Sequence, residues 1–212
     1  ALDNNTTLNA SLVTDDRNAG LTIYGQNRMR DAYDHDGDGF VEIPVIKSQT
    51  IGTQAYIKTS AYSKLTLDYH ATNEYRRGGD NLSLPPHEAM IAEQVDHSIN
   101  TGGVKYDWYA PNEKHMLNAF GSVQHINRES YYGAGKDPNA YGQTTDLTWV
   151  IGTQYVYKMD NCLFMPANLT AGLEFNSDHL SDNMWGYNRV TDQSIQIGSA
   201  YFQNEWRNPV WS

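Results

Sequence analysis

The sequence predicts an all-β chain, an antiparallel up-and-down meander of about 8–10 strands forming part of, or closing into, a transmembrane-type β-barrel. Three observations predict it. Apolar and polar residues alternate with period two through most of the chain, the mark of strands with two unlike faces. Connectors alternate between short turns and long polar segments, as they do when one end of a barrel is trimmed and the other elaborated. The composition also suits a strand-rich, hydrogen-bonding surface, with 19% charged residues, 15 Tyr and 5 Trp in 212 residues. The 15 Lys and Arg against 25 Asp and Glu give a net charge of −10, and Arg76-Arg77 is the only basic cluster, which excludes a nucleic-acid surface. No run approaches the roughly 18 apolar residues of a transmembrane helix. Cys162 is the single cysteine, so no internal disulfide can form.

Taken in order, residues 5–13 and 20–27 alternate weakly across a polar connector at 14–19. Leu21, Ile23 and Gly25 share one face of the second, and Thr22, Tyr24 and Gln26 the other. An acidic stretch follows and is closed by Pro44. In 49–58, Ile51, Ala55 and Ile57 oppose Gln54, Tyr56 and Lys58. The clearest alternation sets Leu65, Leu67, Tyr69 and Ala71 against Thr66, Asp68, His70 and Thr72. Residues 73–97 read as a long insertion too rich in Pro, Gly and polar groups for a strand, with room for a helical turn or two at 88–95. Strand patterns resume at 103–109, 116–127, 147–157, 169–176 and 191–206, and a turn at Arg207, Asn208 and Pro209 follows. Short connectors fall near 14–19, 59–63, 110–114 and 158–167, and long ones near 28–47, 73–97, 128–144 and 177–190. One face would meet lipid, while Asp68, His70, Gln154 and Glu174 would face a polar lumen.

Asp34, Asp36 and Asp38 recur every second residue, with Gly37 and Gly39 supplying a sharp turn. Hard carboxylate oxygens at alternate positions suit Ca2+. A full EF-hand would need Glu at the twelfth loop position, which is Val45; Glu42 at the ninth is the nearest replacement, so the metal set is Asp34, Asp36, Asp38 and Glu42. A solvated hairpin tip that binds no ion is the other reading of the same residues. Arg76, Arg77, Tyr131, Tyr132 and Trp185 fall in the long connectors, where ligand contacts concentrate, and suit a bulky or anionic small molecule. No catalytic residues stand out. His87-Glu88 begins like a zinc-protease motif, but Ile91 occupies the second ligand's place, and neither a nucleophile elbow nor a phosphate loop is present. The chain therefore reads as a binding or transport element without covalent chemistry.

Gly20-Leu-Thr-Ile-Tyr-Gly, Tyr33-Asp-His-Asp-Gly-Asp-Gly-Phe and the run from Arg76 to Glu88 resemble the early barrel of TonB-dependent outer-membrane receptors. Tyr131-Tyr-Gly, Asp137-Pro-Asn-Ala-Tyr-Gly and Asn161-Cys-Leu-Phe-Met-Pro-Ala extend the likeness, which is greatest to the vitamin B12, ferric siderophore and colicin receptor branch. The resemblance implies a plug and a barrel of about 22 strands, of which residues 1–212 would be a partial barrel domain lacking the plug. It further implies the outer membrane of a Gram-negative bacterium and outer loops that bind a ferric siderophore or cobalamin. Import would be driven by the TonB energy-coupling complex through the missing N-terminal part. In vitamin B12 receptors an outer loop of this region carries calcium-binding Asp residues, which Asp34, Asp36 and Asp38 match.

Two soluble alternatives share the alternation: a calcium-dependent carbohydrate-binding β-sandwich, and a glycan-active hydrolase on a β scaffold. The barrel turns Leu65, Leu67, Leu169, Leu173 and Phe175 outward, whereas the soluble folds close them into a core. A partial barrel also exposes two strand edges, so the isolated chain is expected to close on itself or to pair with a copy.

Overall fold

Alternation this sustained is realised as a single nine-stranded antiparallel sheet in chain order. The strands are β1 (Asp3–Val13), β2 (Ala19–Arg30), β3 (Phe40–Ser60), β4 (Ser63–Asp80), β5 (Ile91–Tyr109), β6 (His115–Ala134), β7 (Tyr141–Cys162), β8 (Met165–Met184) and β9 (Arg189–Trp206). The computed structural model describes residues 2–206, so the predicted turn at 207–209 lies outside the described residues. Each strand pairs with the next, and β1 and β9 form the two edges. Among the described residues β1 and β9 do not pair, so the sheet is open rather than closed into a smaller barrel.

Register fixes the two faces. One row runs Leu12, Leu21, Ala55, Leu67, Val104, Gly121, Ile151, Phe175 and Gly198, directly opposite one another across all nine strands. One residue along, the other face presents Thr22, Gln54, Asp68, Gly103, Ser122, Val150 and Asn176. Asp68, His70, Gln154 and Glu174 lie on this polar face as expected, because successive side chains alternate sides. The apolar face is uncovered: Leu67 is 49% exposed, Ile151 53% and Leu173 61%, with Leu65, Leu169 and Phe175 half-exposed. A sandwich would lay a second sheet over these residues. The described residues form one sheet only, which removes the carbohydrate-binding sandwich and the closed hydrolase scaffold.

The apolar residues form a band beside the short turns, which are residues 14–18, 61–62, 110–114 and 163–164. The band tilts across the register. Its upper edge is Ala71 in β4, which lies in the row of His179, yet in β8 it is Phe175. Its lowest large residue is Leu65 in β4, in the row of Leu173, yet in β8 it is Leu169. Both edges fall by two rows over the same strands. A level apolar belt on tilted, staggered strands requires this drift.

Several sequence expectations change. The segments read as long loops are mostly strand, and the true connectors at that end are residues 31–39, 81–90, 135–140 and 185–188. The strands β3 to β9 run for 18–22 residues, longer than the stretches that show the alternation. Beyond the band neither face need be apolar, since backbone pairing alone continues the ladder, so the hydrophobic period vanishes while the strand persists. The helical turn expected at 88–95 is a single 3-10 turn at Pro86–Glu88, with β5 beginning at Ile91. Pro44 lies within β3 rather than closing the acidic loop; it sits where the register with β4 shifts between Val41 and Val45, a bulge that needs no donor.

On the polar face, bulky side chains lie over glycines directly across from them: Tyr24 over Gly52, Tyr56 over Gly20, Phe120 over Gly152 and Tyr201 over Gly172. A Cβ on Gly152 would come within 2.5 Å of the Phe120 ring. Large rings can lie flat on this wall only where the opposite residue has no side chain.

Candidate functional site

The long ends of β3 to β6 and their loops enclose a rim cleft of about 650 Å³ on the polar face. Phe40, Pro44, Ile91, Tyr132 and Tyr187 supply its apolar and aromatic surface. Tyr187 is held in place by its hydroxyl, which donates to the Tyr132 carbonyl at 3.1 Å. Arg76 is the one cation of the lining, and its Nε donates to Glu74 at 2.7 Å, so its charge is already partnered. Glu42, Glu93 and Asp137 also line the cleft. The surface is mixed, aromatic and net acidic, rather than an anion clamp.

The five residues expected to meet ligand therefore separate. Arg76 and Tyr132 line the cleft, from strands rather than loops. Arg77 and Tyr131, one residue along, point to the opposite face, where each is 1% exposed. There the 81–90 loop folds down so that Ala89, Ala92, Tyr131 and Ala140 form a small buried cluster against Tyr141. Arg77 donates to the carbonyls of Gly78 at 2.6 Å and Asp80 at 3.4 Å, and the Tyr131 hydroxyl donates to the Asp137 carbonyl. These two residues hold the rim and are not part of the cleft lining. Trp185 is exposed in the 3-10 turn Trp185–Tyr187, and its neighbours Gly186 and Tyr187 line the cleft in its place. Phe40, Pro44, Glu93 and Tyr187 escaped the sequence because the cleft draws on segments far apart in the chain.

The acidic loop borders this cleft through Glu42. Asp34, Asp36 and Glu42 each place a carboxylate oxygen so that all lie within 4.8 Å of one another, while Asp38 is outside the group. Asp34 accepts from the amides of Gly37 at 2.7 Å and Gly39 at 2.9 Å, which hold its carboxyl below the usual range. Glu42 accepts from the His35 amide at 2.8 Å, and Asp38 turns to the Phe40 amide. Three oxygen donors from one loop fit a hard cation, and these residues would hold it. Farther along the polar face, Asp182 accepts from the Thr144 hydroxyl at 2.6 Å and from Arg189 at 2.9 Å, with Arg128 at 3.5 Å. Those partners outweigh burial and keep its carboxyl below the ordinary range. The group ties β6 to β9 above the band.

No protein-family model matches the chain, and no curated protein matches it. Among solved structures it is similar to the outer membrane transporter YddB from Escherichia coli, with TM-score 0.64 over 97% of this chain at 13% identity. The chain spans about a third (32%) of that protein's length. The likeness assigns the fold: this meander has the architecture of a stretch of β-barrel wall.

Proposed function

We propose that the chain is a stretch of an outer-membrane transporter barrel in a Gram-negative bacterium. Its apolar face meets lipid, its polar face lines the passage, and its rim cleft contacts a small-molecule nutrient. The tilted apolar band is the observation that carries this reading: nine strands share one uncovered apolar belt beside the short turns. About 9–11 residues of each strand cross a bilayer, so the remainder of each long strand stands outside and carries the rim. The likeness to a transporter supports passage of a solute as the use of such a wall. The sequence resemblance supports import of a ferric siderophore or cobalamin, energised by the TonB complex, with this chain supplying wall and rim and no covalent chemistry. Incorporated into phospholipid vesicles, the chain is expected to protect its banded half-strands from protease and to lose its 81–90 and 135–140 loops first. Uniform digestion would overturn the reading.

Calcium at the rim is part of the same proposal. Asp34, Asp36 and Glu42 would hold the ion and order the loop that presents Phe40 and Glu42 to the cleft. Calorimetric titration is expected to show saturable Ca2+ binding that disappears in Asp36→Ala/Glu42→Ala and survives in Asp38→Ala. Equal loss in Asp38→Ala would return the site to the alternate-residue pattern of the sequence, and no heat in any of the chains would leave a solvated tip.

A further inference from the structure

At about 650 Å³ the rim cleft is far larger than a metal ion needs and suits a small organic molecule. Its charges are unequal. Glu42, Glu93 and Asp137 set three carboxylates in the lining against the single guanidinium of Arg76, which Glu74 already holds at 2.7 Å. Lys136, beside Asp137 in the chain, lies outside the lining. The three acids differ in what they are free to do. Glu42 is engaged by the acidic loop, accepting from the His35 amide at 2.8 Å. One Asp137 oxygen accepts from the Asn139 amide at 2.8 Å. Glu93 makes no hydrogen bond or ion pair among the described residues. Register explains its freedom: on one side it stands directly across from Gly78, which has no side chain to offer it, and on the other from Tyr132. Residues paired in this way have Cβ atoms about 4.5–5.5 Å apart. An uncommitted carboxylate and the half-buried Tyr132 ring therefore share one patch of the lining. The Tyr187 hydroxyl is spent on the Tyr132 carbonyl, so the ring is what Tyr187 has left to meet a ligand.

We infer that this cleft selects a ligand that presents an organic cation, an ammonium or a guanidinium, on an apolar or aromatic body. This rests on the cleft being the nutrient's contact site, as proposed above, and names the charge of that nutrient. The face of an aromatic ring is the negative end of its quadrupole and attracts a cation, and a carboxylate beside it adds a full charge of the same sign. Neither group offers anything to an anion. Arg76 would have to leave Glu74 to serve one, and the nearby carboxylates of Asp34 and Asp36 add to the negative potential at the mouth. Phe40 and Pro44 supply the surface that covers an apolar body. A chelate carrying an ammonium therefore fits the cleft, and a polycarboxylate chelate does not.

The test uses the detergent-solubilised chain in calcium-free buffer with three probes that share one ring and differ in charge: benzyltrimethylammonium, benzyl alcohol and phenylacetate. Calorimetric titration is expected to show saturable binding of benzyltrimethylammonium, roughly tenfold or more tighter than that of phenylacetate, with benzyl alcohol between them. The preference should shrink as salt rises from about 50 to about 500 mM. Glu93→Gln should weaken the cation about fivefold and leave benzyl alcohol unchanged. Tyr132→Leu, which keeps the carbonyl that anchors Tyr187, should also weaken the cation about fivefold. Glu129→Gln removes the same charge from the opposite face of β6 and should leave all three probes unchanged. Phenylacetate bound as tightly as the cation overturns the inference alone and leaves the cleft as a contact site. Wild-type affinity for the cation in both Glu93→Gln and Tyr132→Leu puts the binding elsewhere and overturns it as well. No heat with any probe removes the cleft as a contact site and this inference together, while vesicle protection still decides the membrane wall separately.

Discussion

Ile151→Lys is expected to lower folding stability in vesicles by about 2–4 kcal/mol, while Ser122→Lys, on the neighbouring strand but the other face, should change it by less than about 0.5 kcal/mol. The two sites lie at nearly the same depth: Ile151 is paired with Gly121, and Ser122 with Val150. Both are solvent-accessible in the isolated sheet, Ile151 at 53%. A water-soluble sheet would treat the two lysines alike, since an ammonium on an open surface keeps its hydration. A bilayer separates them, because the face carrying Ile151, Leu67 and Leu173 would bring the charge into hydrocarbon and the face carrying Ser122 would leave it in the aqueous passage. Urea titration of both variants in the same vesicles reads the difference. Equal midpoints would mean that both faces meet water and would sink the barrel-wall assignment.

The strands legible from sequence were those where the environment differs on the two sides. Leu65, Leu67, Tyr69 and Ala71 alternate cleanly because one face is apolar and the other polar. From Asn73 to Asp80 the same strand continues with Tyr75 and Arg77 on one side and Glu74 and Arg76 on the other, and no hydrophobic period is left to see. The fold class and the order of turns thus followed from the banded halves of the chain, while loop lengths did not follow from the rest. A register argument could have helped: Glu74 and Arg76 already sit on the polar face set by Asp68 and His70.

The site was legible in part, for a similar reason. Period two separates adjacent residues, so of the pairs Arg76-Arg77 and Tyr131-Tyr132 only one member of each can face the cleft. Once 73–80 and 128–134 are strands, the choice follows from the face of Leu67 and Gly121. Glu42 joined Asp34 and Asp36 as the ninth-position residue suggested, while Asp38 left the group to accept from the Phe40 amide. Sequence spacing counts carboxylates, but it does not say where the turn places each of them: all four accept from loop amides, and only Asp38 lies apart.

At the rim, Gly79→Ala is expected to cost about 2–5 kcal/mol locally, and Gly78→Ala less than about 1 kcal/mol. Gly79 has φ +100°, a backbone conformation that disfavours an L side chain. A Cβ there would also meet the Ile91 carbonyl and approach the Ala92 Cα to 2.9 Å, whereas on Gly78 the nearest atom is the Pro44 Cβ at 3.4 Å. Gly79 pairs with Ala92 at the last rung joining β4 to β5. Around that rung Asp80 accepts from the Ile91 amide at 2.9 Å, and Arg77 donates to the Asp80 carbonyl at 3.4 Å. Pushing the strands apart there releases the 81–90 loop, uncovers Arg77 and Tyr131, and opens the cleft wall formed by Ile91 and Ala92. Amide hydrogen exchange over residues 80–92 should therefore accelerate by about thirtyfold or more in Gly79→Ala, with the banded halves of β4 and β5 unchanged. Matching exchange in Gly78→Ala and Gly79→Ala would show that the close approach of these strands does not shape the rim.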